Sequence, residues 1–273
     1  MRRRATTASS RSCGRPSADV TERPPAAEPD ARLRTAAAMV FVEDVGEPRL
    51  DGPELHHLLA VRRLRPGERV VASDGAGAWV PCRMAAGPAD GGRRAGGAAT
   101  LVVDGPVQHD ERSTPCLTVA FAPAKGERPE WVVQKLTELG VDRIVVTRTA
   151  RTVVRWEGAR VGRAVERLGR VAREASAQCR RPWLPDVLGP LTLDEVEALG
   201  AAPLALVRPG GGRPSLDRPA VAVGPEGGWD DAEVARFPQA VGLGPTVLRA
   251  ETAAVTVGAL LCGLRAGVVG PLA

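Results

Sequence analysis

The run Ala220-Val221-Ala222-Val223 is apolar throughout and stops abruptly at Gly224-Pro225-Glu226-Gly227-Gly228. Two residues later Asp230, with Glu233 three positions on, gives the capping-box pattern of a helix start. A strand, a glycine loop and a helix N-terminus in such close order leave a backbone surface that a small ligand can approach. The same rhythm holds upstream. "LTVAFA" leads into the helix "PEWVVQKLTEL", closed by Gly140, and "RIVVT" leads on to a long basic helix. "LALV" is a further strand, and "ETAAVTVGALLCGL" is the last helix. Strands alternating with helices predict an α/β domain with a mostly parallel sheet over residues 113–273. Ligands of such sheets lie at the carboxyl ends of the strands. The Gly224 loop, the segment after Val207 and the stretch from Gly242 to Leu248 all fall there.

Residues 39–112 read differently. Their apolar runs are short ("VFV", "RVVAS", "AWVPCRM", "ATLVVD"), with "DGAGA" as a hairpin-like turn and one helix, "GPELHHLLAVRRL", between them. This predicts a small β-barrel-like module. Residues 1–38 are rich in Arg, Ala, Pro and Ser without apolar period, which predicts disorder and leaves Met39 as a candidate start. No run reaches the roughly 18 apolar residues of a membrane span, and the Arg-rich start lacks a signal-peptide core. A soluble cytoplasmic protein with no membrane partner is expected.

Charge is unevenly placed. Residues 1–38 carry +4, 39–141 carry −2, 142–181 carry +7 and 182–273 carry −4. In the basic block, Val161, Val165, Leu168, Val171 or Ala172, and Ala175 form one helical face, while Arg163, Arg167 and Arg170 fall on another. Arg148, Arg151 and Arg155 precede that helix in a loop beyond a strand end. A polyanion-facing surface follows from this block; a merely solvated arginine face is the alternative.

Several chemistries are excluded. Five cysteines at 13, 82, 116, 179 and 262 have no CxxC spacing and support neither zinc nor a disulfide framework. His56 and His57 are adjacent and so do not share a helix face, and His109 stands alone. No metal site is expected. Without a GxSxG or a placed histidine, a nucleophile-and-base hydrolase is not supported. The glycine loop is not a P-loop, because Trp229 and two aspartates follow it where Lys and Ser/Thr are needed. It also comes too late in the chain for a dinucleotide fingerprint. The acidic Glu226 suits a ligand bearing positive charge or hydroxyls.

"KGERPEWVVQKLTELGVDRIV", "VGPEGGW" and "VGLGPTVLRAETAAV", in that order and spacing, resemble the RsmE family of 16S ribosomal RNA uridine-N3 methyltransferases. The likeness runs from Met39 to about Gly267. It implies a PUA-like barrel that helps hold RNA, followed by a SPOUT domain with a trefoil knot whose loops bind S-adenosylmethionine at a homodimer interface. Carried over by position, the methyl-donor residues would be Leu206, Gly224, Pro225, Glu226, Gly227, Gly228, Leu243, Gly244, Leu248, Thr252 and Ala253. The catalytic candidates would be Arg249 and Arg151, and Glu251 lies within the same motif. Arg62, Arg63, Arg65, Lys125, Arg148 and Arg155 would face RNA of the small ribosomal subunit. Two positions depart from the family pattern: Ala150 stands where Glu is frequent, and Cys179 where Ser is common. Uridine N3 carries a weakly acidic proton, so an arginine beside the uracil carbonyls would stabilise the anion. A catalytically silent assembly protein with this fold, and an enzyme acting on another RNA position, stay open at this point.

Overall fold

The computed structural model describes residues 30–50, 58, 62–85, 101–124, 126–154, 156–200 and 202–270. The "GPELHHLLAVRRL" helix lies mostly outside them, as do His56, His57, Lys125 and Arg155.

The first part contains helix α1 (Ala31–Thr35) and strands β1 (Ala38–Phe41), β2 (Arg69–Ser73), β3 (Ala78–Met84), β4 (Leu101–Val103) and β5 (Gln108–His109). They form one sheet in the order β1-β2-β3-β4, with β5 also paired to β3. Strand β1 is parallel to β2, and the remaining pairs are antiparallel. The "DGAGA" stretch is the β2–β3 turn, closed by Asp74 Oδ1 accepting from the amides of Ala76 and Ala78 at 2.6 and 3.1 Å. The reading of residues 1–38 as one disordered arm fails at its end. Asp30 caps α1 by accepting from the Arg32 amide at 2.7 Å, and Leu33, Ala36 and Ala38 are buried. One leucine among alanines shows no period in sequence, yet it fills a site against Met39, Phe41, Val71 and Trp79.

The second part is a six-stranded, all-parallel sheet in the order β11-β9-β10-β6-β7-β8. Its strands are β6 (Thr118–Phe121), β7 (Arg143–Thr147), β8 (Asp186–Leu191), β9 (Ala205–Gly212), β10 (Ala220–Val223) and β11 (Ala240–Val241). Its helices are α2 (Arg128–Leu139), α3 (Ala159–Cys179), α4 (Leu193–Ala198), α5 (Asp231–Arg236) and α6 (Ala250–Arg265). Helix α2 ends as expected, with Gly140 at φ 100° and its amide donating to the carbonyls of Leu136 and Thr137. Helix α3 buries Leu168, Ala172 and Ala175, the face that its periodicity marks. Strand β8 was not legible, because "DVLGPL" reads as a turn. At the sheet edge its proline costs no ladder hydrogen bond. Helices α2, α3 and α6 pack with β6, β7 and β10 into the main core, around Val133, Leu136, Ile144, Val221, Val257 and Leu261.

The segment after α3 joins the two parts. Trp183 Nε1 donates to the Asp110 carbonyl at 2.9 Å, the Leu184 amide to the Gly75 carbonyl at 2.9 Å, and the buried Ser73 hydroxyl to the Pro182 carbonyl at 3.2 Å. A Cβ on Gly77 would lie 2.6 Å from the Trp183 ring, so the indole seats directly on the turn backbone.

Candidate functional site

Strand β10 releases its chain into the glycine loop at the carboxyl edge of the sheet, as the sequence predicts. The Gly228 amide donates to the Pro225 carbonyl at 2.9 Å, and Gly228 takes a φ of 70°, a conformation that glycine adopts without strain. Pro225 is buried, while Glu226, Gly227 and Gly228 are exposed. Trp229 anchors the loop by donating from Nε1 to the Val207 carbonyl at 2.9 Å. A Cβ on Gly224 would come 3.0 Å from that indole, so Gly224 lets the ring lie against the strand end. Asp230 and Glu233 complete the capping box of α5.

Arg151 belongs to this loop rather than to open solvent. Its guanidinium donates to the Gly227 carbonyl at 3.0 Å and lies 3.8 Å from Asp230. The neighbouring Ala150 amide donates to Glu233 Oε1 at 2.8 Å. The family's carboxylate is missing at position 150, but the backbone there is still held by an acid. Arg148 is exposed and 3.7 Å from Glu195.

The second motif approaches from the sheet edge. Strand β11 pairs with β9, and the Gly242 amide donates to the Gly212 carbonyl at 2.8 Å. Here two glycines pass backbone to backbone: a Cβ on Gly211 would lie 2.4 Å from the Val241 carbonyl carbon, and one on Gly242 would lie 2.6 Å from the Gly211 oxygen. Three glycines at 210–212, ending a strand, are a sequence signal of such close approach. Gly244, at φ 121°, is exposed, and Leu243 and Leu248 are half-buried against the main core together with Val207 and Ala253. Leu206 turns its side chain away from this loop. It is fully buried among Leu204, Ala222 and Phe237 on the other side of the sheet. Strand alternation puts its neighbour Val207, level with Val223, on the loop side instead.

Arg249 is the N-cap of α6 and is exposed, with no side-chain hydrogen bond or ion pair among the described residues. Glu251 lies 3.6 Å from Arg128, which is also 3.6 Å from Glu226. Arg128 therefore links the glycine loop to the start of α6, a role that only tertiary structure reveals. Glu251 Oε2 is buried without a hydrogen-bond partner, beside a small hollow lined by Phe121, Ala122, Pro129 and Ala250. A helix N-terminus disfavours an adjacent cation, so nothing in the fold itself calls for Arg249 there. Thr252 is exposed one turn along.

Arg62, Arg63 and Arg65 are exposed on the first part, away from this loop. Three of the cysteines are poor candidates for a nucleophile. Burial pushes Cys82 and Cys262 up to about 11, and it raises Cys179 as well.

The chain is similar to known RNA methyltransferases. A family model described as an RNA methyltransferase domain matches residues 111–262, and one described as an RNA methyltransferase PUA domain matches residues 50–89. A ribosomal RNA small subunit methyltransferase E from Mycobacterium bovis is 38% identical over 230 residues, covering 77% of this chain and 84% of that protein. The protein of the same name from Bacillus subtilis is 26% identical over 240 residues, covering 78% and 88%. Among solved structures, a ribosomal RNA small subunit methyltransferase E from Neisseria gonorrhoeae bound to S-adenosyl methionine superposes with a TM-score of 0.66 at 26% identity, covering 83% of this chain and 97% of that one. A probable rRNA-methyltransferase from Porphyromonas gingivalis gives 0.70 at 25% identity, covering 85% and 100%.

Proposed function

The chain belongs to the RNA methyltransferase family that includes the ribosomal RNA small subunit methyltransferases E, and from that membership we propose that it methylates N3 of one uridine in 16S ribosomal RNA. S-adenosylmethionine, when bound, supplies an electrophilic methyl group on a sulfonium, so the protein has only to bind, align and manage charge. The residues at the carboxyl edge of the sheet suit it. Exposed Gly227 and Gly228 leave backbone open to close approach, Glu226 offers a negative charge, and Val207, Leu243 and Leu248 offer an apolar wall.

The observation that carries the reading further is Arg249: an exposed cation with no partner among the described residues, at the start of the helix that follows the second motif. Beside a uracil it would hold O2 or O4 and stabilise the charge that develops as N3 loses its proton. Arg151, tied to the Gly227 carbonyl, is read here as a positioning residue for the loop rather than as a second catalytic cation. Arg148, Lys125 and Arg155 would take phosphates along the RNA, as would Arg62, Arg63 and Arg65 on the PUA side.

A homodimer through α6 completes the proposal. Its buried face is Ala253, Ala254, Val257 and Leu261, and this leaves Val255, Ala259, Leu260 and Leu264 only partly covered or exposed. That is more apolar surface than one protomer uses. No described helix is long and apolar enough to cross a membrane, and a ribosomal RNA substrate supports a cytoplasmic location. The closed barrel and the trefoil knot implied by the resemblance belong to the same proposal, as do domain limits near 39–112 and 113–273.

Mass spectrometry of nucleosides from 16S ribosomal RNA, with and without the gene, tests the assignment. Loss of 3-methyluridine that the purified protein restores is the expected result. Loss of a ribose-methylated or other base-methylated nucleoside instead would reassign the substrate position.

A further inference from the structure

Two guanidinium groups converge where the first part meets α3. Arg62 donates from Nη1 to the Ala37 carbonyl at 3.2 Å, and Arg180 donates from Nη2 to the same oxygen at 3.2 Å and to the Ala36 carbonyl at 3.0 Å. Neither has a carboxylate partner among the described residues. Burial, and then the nearby Arg62 charge, holds Arg180 below the usual arginine range. The position of Arg180 has a local cause, since Nη1 also donates to the carbonyls of Ala177 and Gln178 at the α3 C-terminus. Arg62 has no such reason to stand there. Two like charges sharing one carbonyl repel each other in the free protein, and an anion placed between them removes that repulsion. Arg173 continues the basic edge two turns earlier, donating to the Phe41 carbonyl at 2.9 Å.

We propose that Arg62 and Arg180 form a phosphodiester site at the junction of the two parts, which holds an RNA backbone phosphate far from the methylated base. The inference rests on the RNA-methyltransferase reading above and deepens it. Arg167 of α3 pairs with Glu130, next to Arg128 and its contact with Glu226 of the glycine loop, so about 20 Å of helix separates that level from the junction at Arg180. No single nucleotide reaches both. The substrate is then a folded or extended RNA that engages the junction and the methyl-donor edge together. Because Trp183 is seated on the Gly77 turn, the separation between the two contacts is fixed.

The test uses the full chain with Arg62→Glu and Arg62→Gln. Arg62→Glu places a carboxylate beside Arg180, so its melting temperature should equal or exceed that of the wild type. Its affinity for a folded small-subunit ribosomal RNA fragment should fall about tenfold or more. The slope of log affinity against log salt should flatten by about one. Arg62→Gln should lie between the two, and a uridine trinucleotide, too short to span the distance, should bind all three proteins alike. Unchanged RNA affinity in the folded variants overturns the site, and so does a melting temperature lowered in both, which would make Arg62 a structural tie for Ala37. Wild-type protein that binds no RNA at all removes the RNA reading itself, whereas RNA binding that ignores Arg62 removes only the junction site.

Discussion

Asp142 and Arg265 are joined across the amino edge of the parallel sheet, binding the last turn of α6 to the start of β7. Asp142 Oδ2 also accepts from the Leu117 amide at 2.9 Å, and its Oδ1 accepts from Arg181 at 3.3 Å. Arg265 donates further to the carbonyls of Gly140 and Pro115 at 2.6 and 3.1 Å. One buried carboxylate thus ties together four chain segments at the edge opposite the glycine loop. Asp142→Ala leaves two guanidinium groups largely buried and without their anion, and it should destabilise the fold by about 3–5 kcal/mol. Denaturant titration measures this; a loss under about 1 kcal/mol, the scale of an exposed pair, would show that water reaches the cluster.

Leu33 is buried against Phe41, Val71 and Trp79, and Arg32 stacks 5.5 Å from the Trp79 ring centre. Starting the chain at Met39 removes both, together with the Ala36 and Ala37 carbonyls that Arg180 uses. Leu33→Ala alone should cost about 2–5 kcal/mol. A chain beginning at Met39 with an unaltered melting temperature would show that α1 contributes nothing.

The glycines divide into two kinds. Gly242→Ala should prevent folding or lower the melting temperature sharply, because a Cβ there collides with backbone. Gly227→Val should fold, since a Cβ there meets only the Arg151 side chain at 3.6 Å, and it should lose methyl-donor affinity by calorimetry. Normal donor affinity in the folded Gly227→Val protein would take the loop out of the site.

Arg249→Ala should lower turnover by roughly 100-fold or more, the scale of losing one preorganised electrostatic donor, with donor affinity nearly unchanged. Raising the pH should restore part of the rate, because hydroxide then assists deprotonation of N3. Near-normal turnover, or a defect explained by lost dimerisation, would make Arg249 architectural.

Cys82 and Cys262 titrate near 11 in the folded chain because burial opposes the thiolate. Their folded values lie above those of unfolded thiols, near 8.5. The contribution to stability is therefore complete below about pH 8.5 and lost as pH rises toward 11. Melting temperatures should fall over that window, and Cys262→Ala should flatten the fall. An identical alkaline profile in that variant would exclude the thiol as its cause.

The strand, loop and helix units around Gly224 were readable because their causes are local: apolar runs, a glycine that ends α2, a capping box that starts α5. The amphipathic face of α3 was readable for the same reason. Strand β8 and helix α1 were not, since each is fixed by a distant partner that outweighs its own weak propensity. The glycine motifs marked loops at the carboxyl edge of the sheet, but spacing along the chain could not show that Leu206 faces the core and Val207 the loop. Nor could it show that Glu251 pairs with Arg128 rather than with Arg249. By itself the sequence determined the strands and helices whose signals are local and the glycine loops that end them, because backbone preference and periodicity act within a few residues. Only the tertiary structure decided the backbone crossing at Gly211 and Gly242, the seat of Trp183 on Gly77 and the charge partners of each arginine. Those depend on which surfaces meet once the hydrophobic core has closed, and chain order does not encode that at short range.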